Sequence, residues 1–291
     1  MIHQYSDADL ILNPDGSVYH LNLLPEDIAD TIITVGDQDR VADVSAFFDR
    51  LELQKGKREF ITHTGYIGKK RISVISTGIG TDNIDIVLNE LDALVNIDLK
   101  TRKEKPKKKS LEIVRVGTSG TLQDDIPVDS ILVSEYALGM DSLMHYYARN
   151  YSDDEQQLQQ AIDKHFADIK GITPYVCASD LSLLTNVGDG AMKGITVTAP
   201  GFYAPQGRTL RAKHGIPFLN ERLQNFKFGD RRITNFEMET AGIYALSKVL
   251  GHKALSVNAI LANRKKGTFS AKPQKTIMNA IVFALKNIIK L

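Results

Sequence analysis

Cysteine is scarce in this chain. Its 291 residues include a single cysteine, Cys177, so no disulfide can form within the chain. No stretch approaches the roughly 18 consecutive apolar residues that a membrane-spanning helix needs. The N-terminal stretch also lacks the basic segment and apolar run of a signal peptide. Because a chain without disulfides suits a reducing compartment, we expect a soluble cytoplasmic protein with no membrane partner.

Net charge is also nearly absent. The 36 Lys and Arg residues balance the 35 Asp and Glu residues, and the formal net charge is +1. Such a balance excludes a whole-protein attraction to nucleic acid or to an acidic membrane surface. One basic run, residues 100–109, contains Pro106 and no aromatic residue. We interpret it as a solvated loop, with a nucleic-acid patch as the alternative, because stacking side chains are missing.

Two common phosphate-binding motifs are missing as well, since the chain has neither G-x-x-x-x-G-K-[ST] nor G-x-G-x-x-G after a strand. What is present is an alternation of strand-like and helix-like segments. Strands are predicted at residues 31–35, 60–64, 71–76, 111–116, 130–134, 195–198 and 255–262. Helices are predicted at about residues 41–48, 84–94, 152–168 and 273–291. This order predicts an α/β fold with a mostly parallel sheet covered by helices, and no boundary splits the chain.

Several predicted strands end at glycine, and an arginine stands beside two of these ends. Gly36 follows the first strand and Arg40 comes four residues later, whereas Arg115 and Gly117 close another strand. Ligands of parallel sheets bind at the carboxyl ends of the strands, and guanidinium groups bind oxyanions. These features predict an oxyanion site. The alternative for each is an ordinary turn beside a surface ion pair.

Two further segments carry polar side chains suited to chemistry. Glu239 precedes a predicted helix and is the last carboxylate of the chain, and favourable placement at the helix dipole is the alternative role. A loop after residues 195–198 holds Phe202, Gln206 and Arg208. An aromatic ring stacks on a base, an amide donates to and accepts from a base edge, and a guanidinium neutralises a developing negative oxygen. An ordinary loop with one buried aromatic residue is the alternative.

Seven stretches, in order along the chain, resemble the type I nucleoside phosphorylases and, among them, the uridine phosphorylase branch. The stretches are residues 36–40, 58–60, 76–80, 115–120, 202–208, 236–239 and 263–264. The resemblance implies a single α/β domain over residues 1–291, with a central mixed, largely parallel β-sheet flanked by helices. It also implies phosphorolysis, in which phosphate attacks C1′ of the ribose and the base leaves.

The resemblance gives eleven residues of this sequence a role. The phosphate-binding residues would be Gly36, Arg40, Arg58, Arg115 and Thr118. The ribose-binding residues would be His20, Met238 and Glu239. The base-binding residues would be Phe202, Gln206 and Arg208. Catalysis would depend on Arg115, Arg208 and Glu239, and a neighbouring subunit would supply His20 and Arg58.

The same resemblance implies the partners. The protein would be at least a homodimer, with a hexamer as the larger alternative, and its small-molecule partners would be a nucleoside and phosphate. It would use no cofactor and no metal, and inorganic phosphate would be a co-substrate. Some relatives bind a monovalent cation through a glutamate matching Glu59 and a serine. Asn83 stands at the position of that serine, which argues against the cation.

The identity of the base depends on a missing acid. Related purine-cleaving enzymes place an aspartate after the last strand, whereas residues 262–266 here read Ala-Asn-Arg-Lys-Lys. This absence favours a pyrimidine base, and hence uridine. A purine nucleoside phosphorylase, a nucleosidase on the same fold and a non-catalytic nucleoside-binding protein are the alternatives. Three phosphate-binding arginines argue against a nucleosidase, and the choice between uridine, deoxyuridine and thymidine stays open.

Overall fold

The computed structural model describes residues 4–291, and the first three residues of the N-terminal stretch lie outside that range. The first seven strands are β1 Thr31–Val35, β2 Arg50–Lys57, β3 Phe60–Ile67, β4 Lys70–Ser76, β5 Ile97–Asp98, β6 Lys103–Glu104 and β7 Glu112–Thr121. The remaining strands are β8 Ile131–Gly139, β9 Tyr175–Ala178, β10 Met192–Thr198, β11 Lys227–Phe228, β12 Arg231–Glu237, β13 Lys253–Asn263 and β14 Thr268–Phe269.

Helices pack against the faces of the large sheet. They are α1 Asp39–Ser45, α2 Thr81–Asn96, α3 Asp153–His165, α4 Leu181–Asn186, α5 Leu219–Asn225, α6 Thr240–Leu250 and α7 Pro273–Ile288. One apolar cluster joins α2 and α6, and a second joins α1, α4 and α7. Within residues 4–291, no helix is long and apolar enough to cross a membrane.

The large sheet is mixed, as the resemblance implies. Its order is β11-β12-β10-β8-β13-β7-β1-β4-β3-β2, with β14 beside β13 and β9 beside β8. The strands β4, β1, β7 and β13 run parallel to one another, and so do β8, β10 and β12. The expected α/β fold with a central mixed sheet is therefore confirmed. That residues 1–291 form one domain stays a prediction.

The structure contains one strand pairing that the sequence does not predict. Strand β12 also pairs antiparallel with β7, with Asn235 opposite Thr121 and Phe236 opposite Gly120. This contact closes β7, β13, β8, β10 and β12 into a five-stranded barrel inside the larger sheet. As a result, the carboxyl end of β12 lies against the last residues of β7.

Two boundaries differ from the sequence prediction. The expected end of a strand at Gly117 is wrong, because β7 continues to Thr121 along its long neighbour β13. The strand predicted at residues 60–64 also ends too early, because β3 continues to Ile67 and Gly65 lies inside it. A β-carbon there would stand 2.4 Å from the carbonyl oxygen of Arg50, so Gly65 permits the close approach of β2.

The basic run at residues 100–109 contributes to the fold. Lys105 donates from Nζ to the carbonyl oxygens of Leu94 and Val95, at the carboxyl end of α2, where the helix dipole favours a cation. Lys108 pairs with Glu104, and Lys109 pairs with Asp30. The run is thus a β5–β6 hairpin and its continuation, with much of its charge matched inside the chain.

Candidate active site

An open cavity of about 810 Å³ lies where β1, β4, β12 and β13 end. This is the edge at which parallel sheets bind ligands. Nine of the eleven residues predicted for the site line it: Gly36, Arg40, Arg115, Thr118, Phe202, Gln206, Arg208, Met238 and Glu239. The cavity therefore brings together segments that are up to about 200 residues apart in the chain.

Arg115 is the buried cation of the cavity. Its Nη2 donates to Oε2 of Glu239 at 2.6 Å and lies 3.2 Å from Oε2 of Glu237, and its Nη1 donates to Oδ1 of Asn258 at 3.3 Å. Burial opposes the charge of Arg115, but Glu237 and Glu239 outweigh this effect and raise its pKa. The guanidinium is therefore charged and held from both of its amino groups.

Glu239 stands at the start of α6 with its carboxylate in the cavity. Its Oε1 accepts a hydrogen bond from the backbone N–H of Gly80 at 2.9 Å, and its Oε2 accepts from Arg115. Burial raises the pKa of Glu239; Arg115 opposes this change, and the nearby Glu237 adds to it. A carboxylate fixed at both oxygens is a suitable acceptor for the hydroxyl groups of a sugar.

Glu237 lines the cavity and has no role in the sequence-based assignment. Its Oε2 accepts from the backbone N–H groups of Glu239 and Thr240, and its Oε1 accepts from Oγ1 of Thr198 at 2.5 Å. The carboxylate therefore caps the N-terminus of α6 and faces Arg115 at the same time. The signal in the sequence is the spacing of two residues between Glu237 and Glu239. Its meaning depends on the end of β12, a strand that the sequence-based prediction lacks.

Arg40 brings a second guanidinium to the same end of the cavity. It lies at the start of α1, and its Nη1 is 3.5 Å from the carbonyl oxygen of Val116. Burial lowers the pKa of Arg40, and the charge of Arg115 lowers it further. An anion bound beside both groups would relieve this repulsion. Gly36 and Thr118 line the same cavity and offer backbone and hydroxyl donors.

A second polar group occupies the loop after β10. Arg208 donates from Nη1 to Oε1 of Gln206 and to the carbonyl oxygen of Phe202, both at 2.6 Å, and its Cζ lies 3.6 Å from the centroid of the Phe202 ring. Burial, followed by the charge of Arg264, lowers the pKa of Arg208 to about 10. Gln206 is buried, and Arg264 donates to its carbonyl oxygen at 3.3 Å. The three predicted base-binding residues thus form one contact group.

Asn263, the last residue of β13, has a structural role. Asn263 is buried and donates from Nδ2 to the carbonyl oxygens of Gln123 and Ile126. Its Oδ1 accepts from the backbone N–H groups of Lys265 and Lys266. All the polar atoms of this amide are therefore committed to the turn. Arg264 belongs to a stretch that carries the resemblance but has no role assigned to it. Its side chain extends from this turn to the backbone carbonyl oxygen of Gln206.

His20 and Arg58 do not line the cavity. Nδ1 of His20 lies 2.6 Å from Oε1 of Glu90, which also accepts the backbone N–H of His20. Arg58 is exposed, and its guanidinium lies 5.8 Å from the ring centroid of Tyr19. Since the Tyr19 ring also contacts the His20 ring at 4.8 Å, the two residues predicted to serve a neighbouring subunit share one outer surface.

Known proteins resemble this chain over most of its length. Residues 30–289 match the family model described as the Phosphorylase superfamily, and the chain belongs to that superfamily. It is similar to a uridine phosphorylase of Thermococcus kodakarensis, with 26% identity over 282 residues, which cover 94% of this chain and 88% of the relative. It is also similar to a DeoD-type purine nucleoside phosphorylase of Listeria welshimeri, with 26% identity over 275 residues, which cover 93% of this chain and 99% of the relative.

A solved structure is similar as well. A nucleoside phosphorylase of Trypanosoma brucei, reported to show uridine phosphorylase activity, superimposes on the chain with a TM-score of 0.88 at 28% identity. The match covers 97% of this chain and 100% of that one. The fold of this chain is therefore similar to that of a solved nucleoside phosphorylase.

Proposed function

We propose that the protein catalyses the phosphorolysis of uridine to uracil and ribose 1-phosphate. The observation that carries this proposal is the arrangement of three polar groups in one cavity. Arg40 and Arg115 line the cavity close enough for the charge of Arg115 to lower the pKa of Arg40. Glu239 is bonded to Arg115, and Gln206 is bonded to Arg208. Phosphate, ribose and a pyrimidine base require these three kinds of partner.

The chemistry follows from the charges. An oxygen of phosphate attacks C1′ of the ribose, the C1′–N1 bond breaks, and its electron pair leaves with the base. The sugar passes through a cationic, oxocarbenium-like transition state. The proposed phosphate, held by Arg40, Arg115, Thr118 and the backbone at Gly36, places negative charge beside that cation. Met238 and Glu239 would hold the ribose, with Glu239 accepting from its hydroxyl groups.

The departing base carries the negative charge. Uracil spreads it over its ring oxygens, and Arg208 would stabilise it more in the transition state than in the substrate. The charge of Arg264, close enough to lower the pKa of Arg208, acts in the same direction. Phe202 and Gln206 would contribute packing and hydrogen bonds to the base.

A purine nucleoside is the second candidate, because a DeoD-type relative matches the chain at a similar identity. A leaving purine is helped by an acid near its imidazole ring. In residues 4–291, no hydrogen bond or ion pair joins a carboxylate to Gln206, Arg208 or Arg264, and Asn263 has no free polar atom. The surroundings of the base loop therefore favour a pyrimidine.

The oligomer is part of the proposal. His20 and Arg58 lie together on an outer surface and not in the cavity of their own chain. We propose that each supplies a neighbour's site, His20 for the ribose and Arg58 for the phosphate, in a homodimer or in a hexamer built from dimers. A role in cytoplasmic pyrimidine nucleoside salvage would suit a chain with one cysteine, which is buried and free.

The deciding experiment is a nucleoside panel with and without phosphate, followed by base release. Uridine should yield uracil and ribose 1-phosphate only in the presence of phosphate. Equal base release in phosphate-free buffer would establish a nucleosidase, and faster turnover of inosine than of uridine would establish a purine enzyme. Binding of uridine without any turnover would establish a non-catalytic binding protein.

A further inference from the structure

A chain of buried hydrogen bonds runs through the interior of the barrel and begins at Arg115. Oδ1 of Asn258 accepts from Nη1 of Arg115, and Nδ2 of Asn258 donates to Oγ of Ser134 at 3.0 Å and to Oγ of Ser256 at 3.4 Å. Ser134 Oγ lies 2.5 Å from Oγ1 of Thr196, which donates to Oδ1 of Asn235 at 2.9 Å. Asn235 then donates from Nδ2 to Oγ of Ser119 at 3.0 Å, and Ser119 lines the cavity.

The direction of each bond in this chain is fixed by counting donors. Thr196 uses its hydroxyl hydrogen on Asn235, so Ser134 must donate to Thr196. Ser134 can then only accept from Asn258, which orients the amide with Oδ1 towards Arg115. Asn258, Ser134, Thr196 and Asn235 have no exposed surface, so no solvent competes for these bonds. The amide of Asn258 therefore presents one fixed acceptor to the guanidinium.

The backbone leaves room for this contact. Gly117 is opposite Asn258 in the pairing of β7 with β13, and a β-carbon at position 117 would stand 1.8 Å from Nη1 of Arg115. The guanidinium thus lies over the glycine to reach the amide. Glu237 and Glu239 hold Nη2 on the other side. Contacts at both amino groups block rotation of the guanidinium plane.

We propose that Asn258, held by Ser134, is a positioning residue that orients Arg115 for phosphate. This inference rests on the proposed function, because it takes phosphate as the ligand of Arg115. Asn258 does not line the cavity and acts on the ligand only through the guanidinium. Without its acceptor, Arg115 would be held by the two carboxylates alone, and it would turn towards them and away from the anion.

The test is the dissociation constant of inorganic phosphate, measured by titration calorimetry without nucleoside, together with steady-state kinetics. Asn258→Leu keeps the number of side-chain heavy atoms and removes the hydrogen bonds of the amide to Arg115, Ser134 and Ser256. Phosphate should bind about tenfold more weakly, the size expected for one hydrogen bond to a charged group, while the KM for uridine changes less than threefold. Ser134→Ala should weaken phosphate binding by about threefold, since Asn258 stays but loses its shorter anchoring bond and keeps only the 3.4 Å bond to Ser256.

The double variant distinguishes a loss of Arg115 positioning from a loss of overall stability. Asn258→Leu with Ser134→Ala should bind phosphate no more weakly than Asn258→Leu alone, because both changes act through one amide. Asn96→Leu is the matched control, since Asn96 is a buried amide at the end of α2 that bonds Asp92 and Lys109 away from the cavity. It should lower the melting temperature and leave phosphate binding unchanged.

Each contrary result has a separate meaning. Phosphate binding by Asn258→Leu within twofold of the unaltered protein would overturn the role of Asn258. Equal weakening by Asn96→Leu would overturn it as well, in favour of a loss of overall stability. An unaltered protein that does not bind phosphate would overturn this inference together with the proposed function, whereas binding that is insensitive to Asn258→Leu would leave the proposed function standing.

Discussion

The guanidinium of Arg115 lies directly over Gly117, where an added β-carbon would stand 1.8 Å from Nη1. A side chain at position 117 is therefore incompatible with the observed place of Arg115. We expect Gly117→Ala to lower kcat/KM for phosphate by at least about tenfold, because about 1.4 kcal/mol of lost binding suffices for that factor.

Steady-state kinetics at varied phosphate concentration would measure this effect, with a melting curve beside it. Gly215→Ala is the control, since a β-carbon there has no neighbour within 4 Å. A Gly117→Ala protein with normal phosphate kinetics would show that Arg115 has another productive position.

Arg208 and Gln206 are already joined at 2.6 Å, so the proposed base-binding pair is formed before any base arrives. Arg208→Ala should lower both kcat and kcat/KM for uridine, by about 100-fold, because the contact to the base oxygen strengthens in the transition state. The measurement is initial-rate kinetics on uridine. Arg211→Ala, a change at an exposed arginine of the same loop, should have no effect. Unchanged turnover by Arg208→Ala would contradict the uridine assignment.

Base selectivity gives a prediction without a mutation. The amide of Gln206 offers one acceptor and one donor, which match the N–H and a carbonyl of uracil. Cytidine presents an amino group and a bare ring nitrogen at that edge, and each unpaired buried group costs roughly 1–3 kcal/mol. Uridine should therefore exceed cytidine in kcat/KM by at least about tenfold. Comparable values for the two nucleosides would place the base elsewhere.

The shared-site proposal predicts complementation between inactive variants. Subunits carrying Arg58→Ala, mixed with subunits carrying Arg208→Ala, should regain activity, because one site of each mixed dimer contains both intact residues. Subunit exchange followed by a uridine assay would measure the gain. A mixture of Arg208→Ala and Glu239→Ala should regain none, since both residues belong to the cavity of one chain. A fully active monomer in light scattering would refute the shared site.

The environment of Glu239 predicts a pH dependence. Burial raises the pKa of this carboxyl above its ordinary value of 4.5, with Glu237 adding to the effect. A raised pKa means that the ionised form is lost at a higher pH as the solution is made acidic. The value of kcat/KM for uridine should therefore fall on the acid side at a pH above the usual range of a glutamate. The Glu239→Gln variant should lack that decrease.

Both proteins are compared in the same phosphate solutions, so the titration of phosphate itself is common to the two profiles. If kcat/KM for uridine decreased at the same acidic pH in Glu239→Gln and in the unaltered protein, the decrease would be assigned to phosphate or to another group.

Local sequence determined much of the site. Gly36, Arg40 and Arg115 belong to neighbouring parallel strands or to the segments that follow them, and such strands end at one edge of the sheet. The loop holding Phe202, Gln206 and Arg208 is short enough for its residues to contact one another whatever the rest of the chain does. These groups were predictable because their proximity depends on chain direction and short spacing.

Tertiary structure alone decided the rest. The pairing of Asn235 with Thr121 joins residues more than 100 positions apart and depends on the curvature of the sheet, which no local pattern reports. That closure sets Glu237 beside Arg115 and encloses the hydrogen bonds from Asn258 to Ser119. Such a network needs side chains from several strands at once, so each residue alone resembles an ordinary buried polar group. The outer position of His20 and Arg58 also depends on tertiary structure. It follows from the packing of β2 and β3 against the N-terminal segment, where Lys57 donates to the carbonyl oxygen of Tyr19.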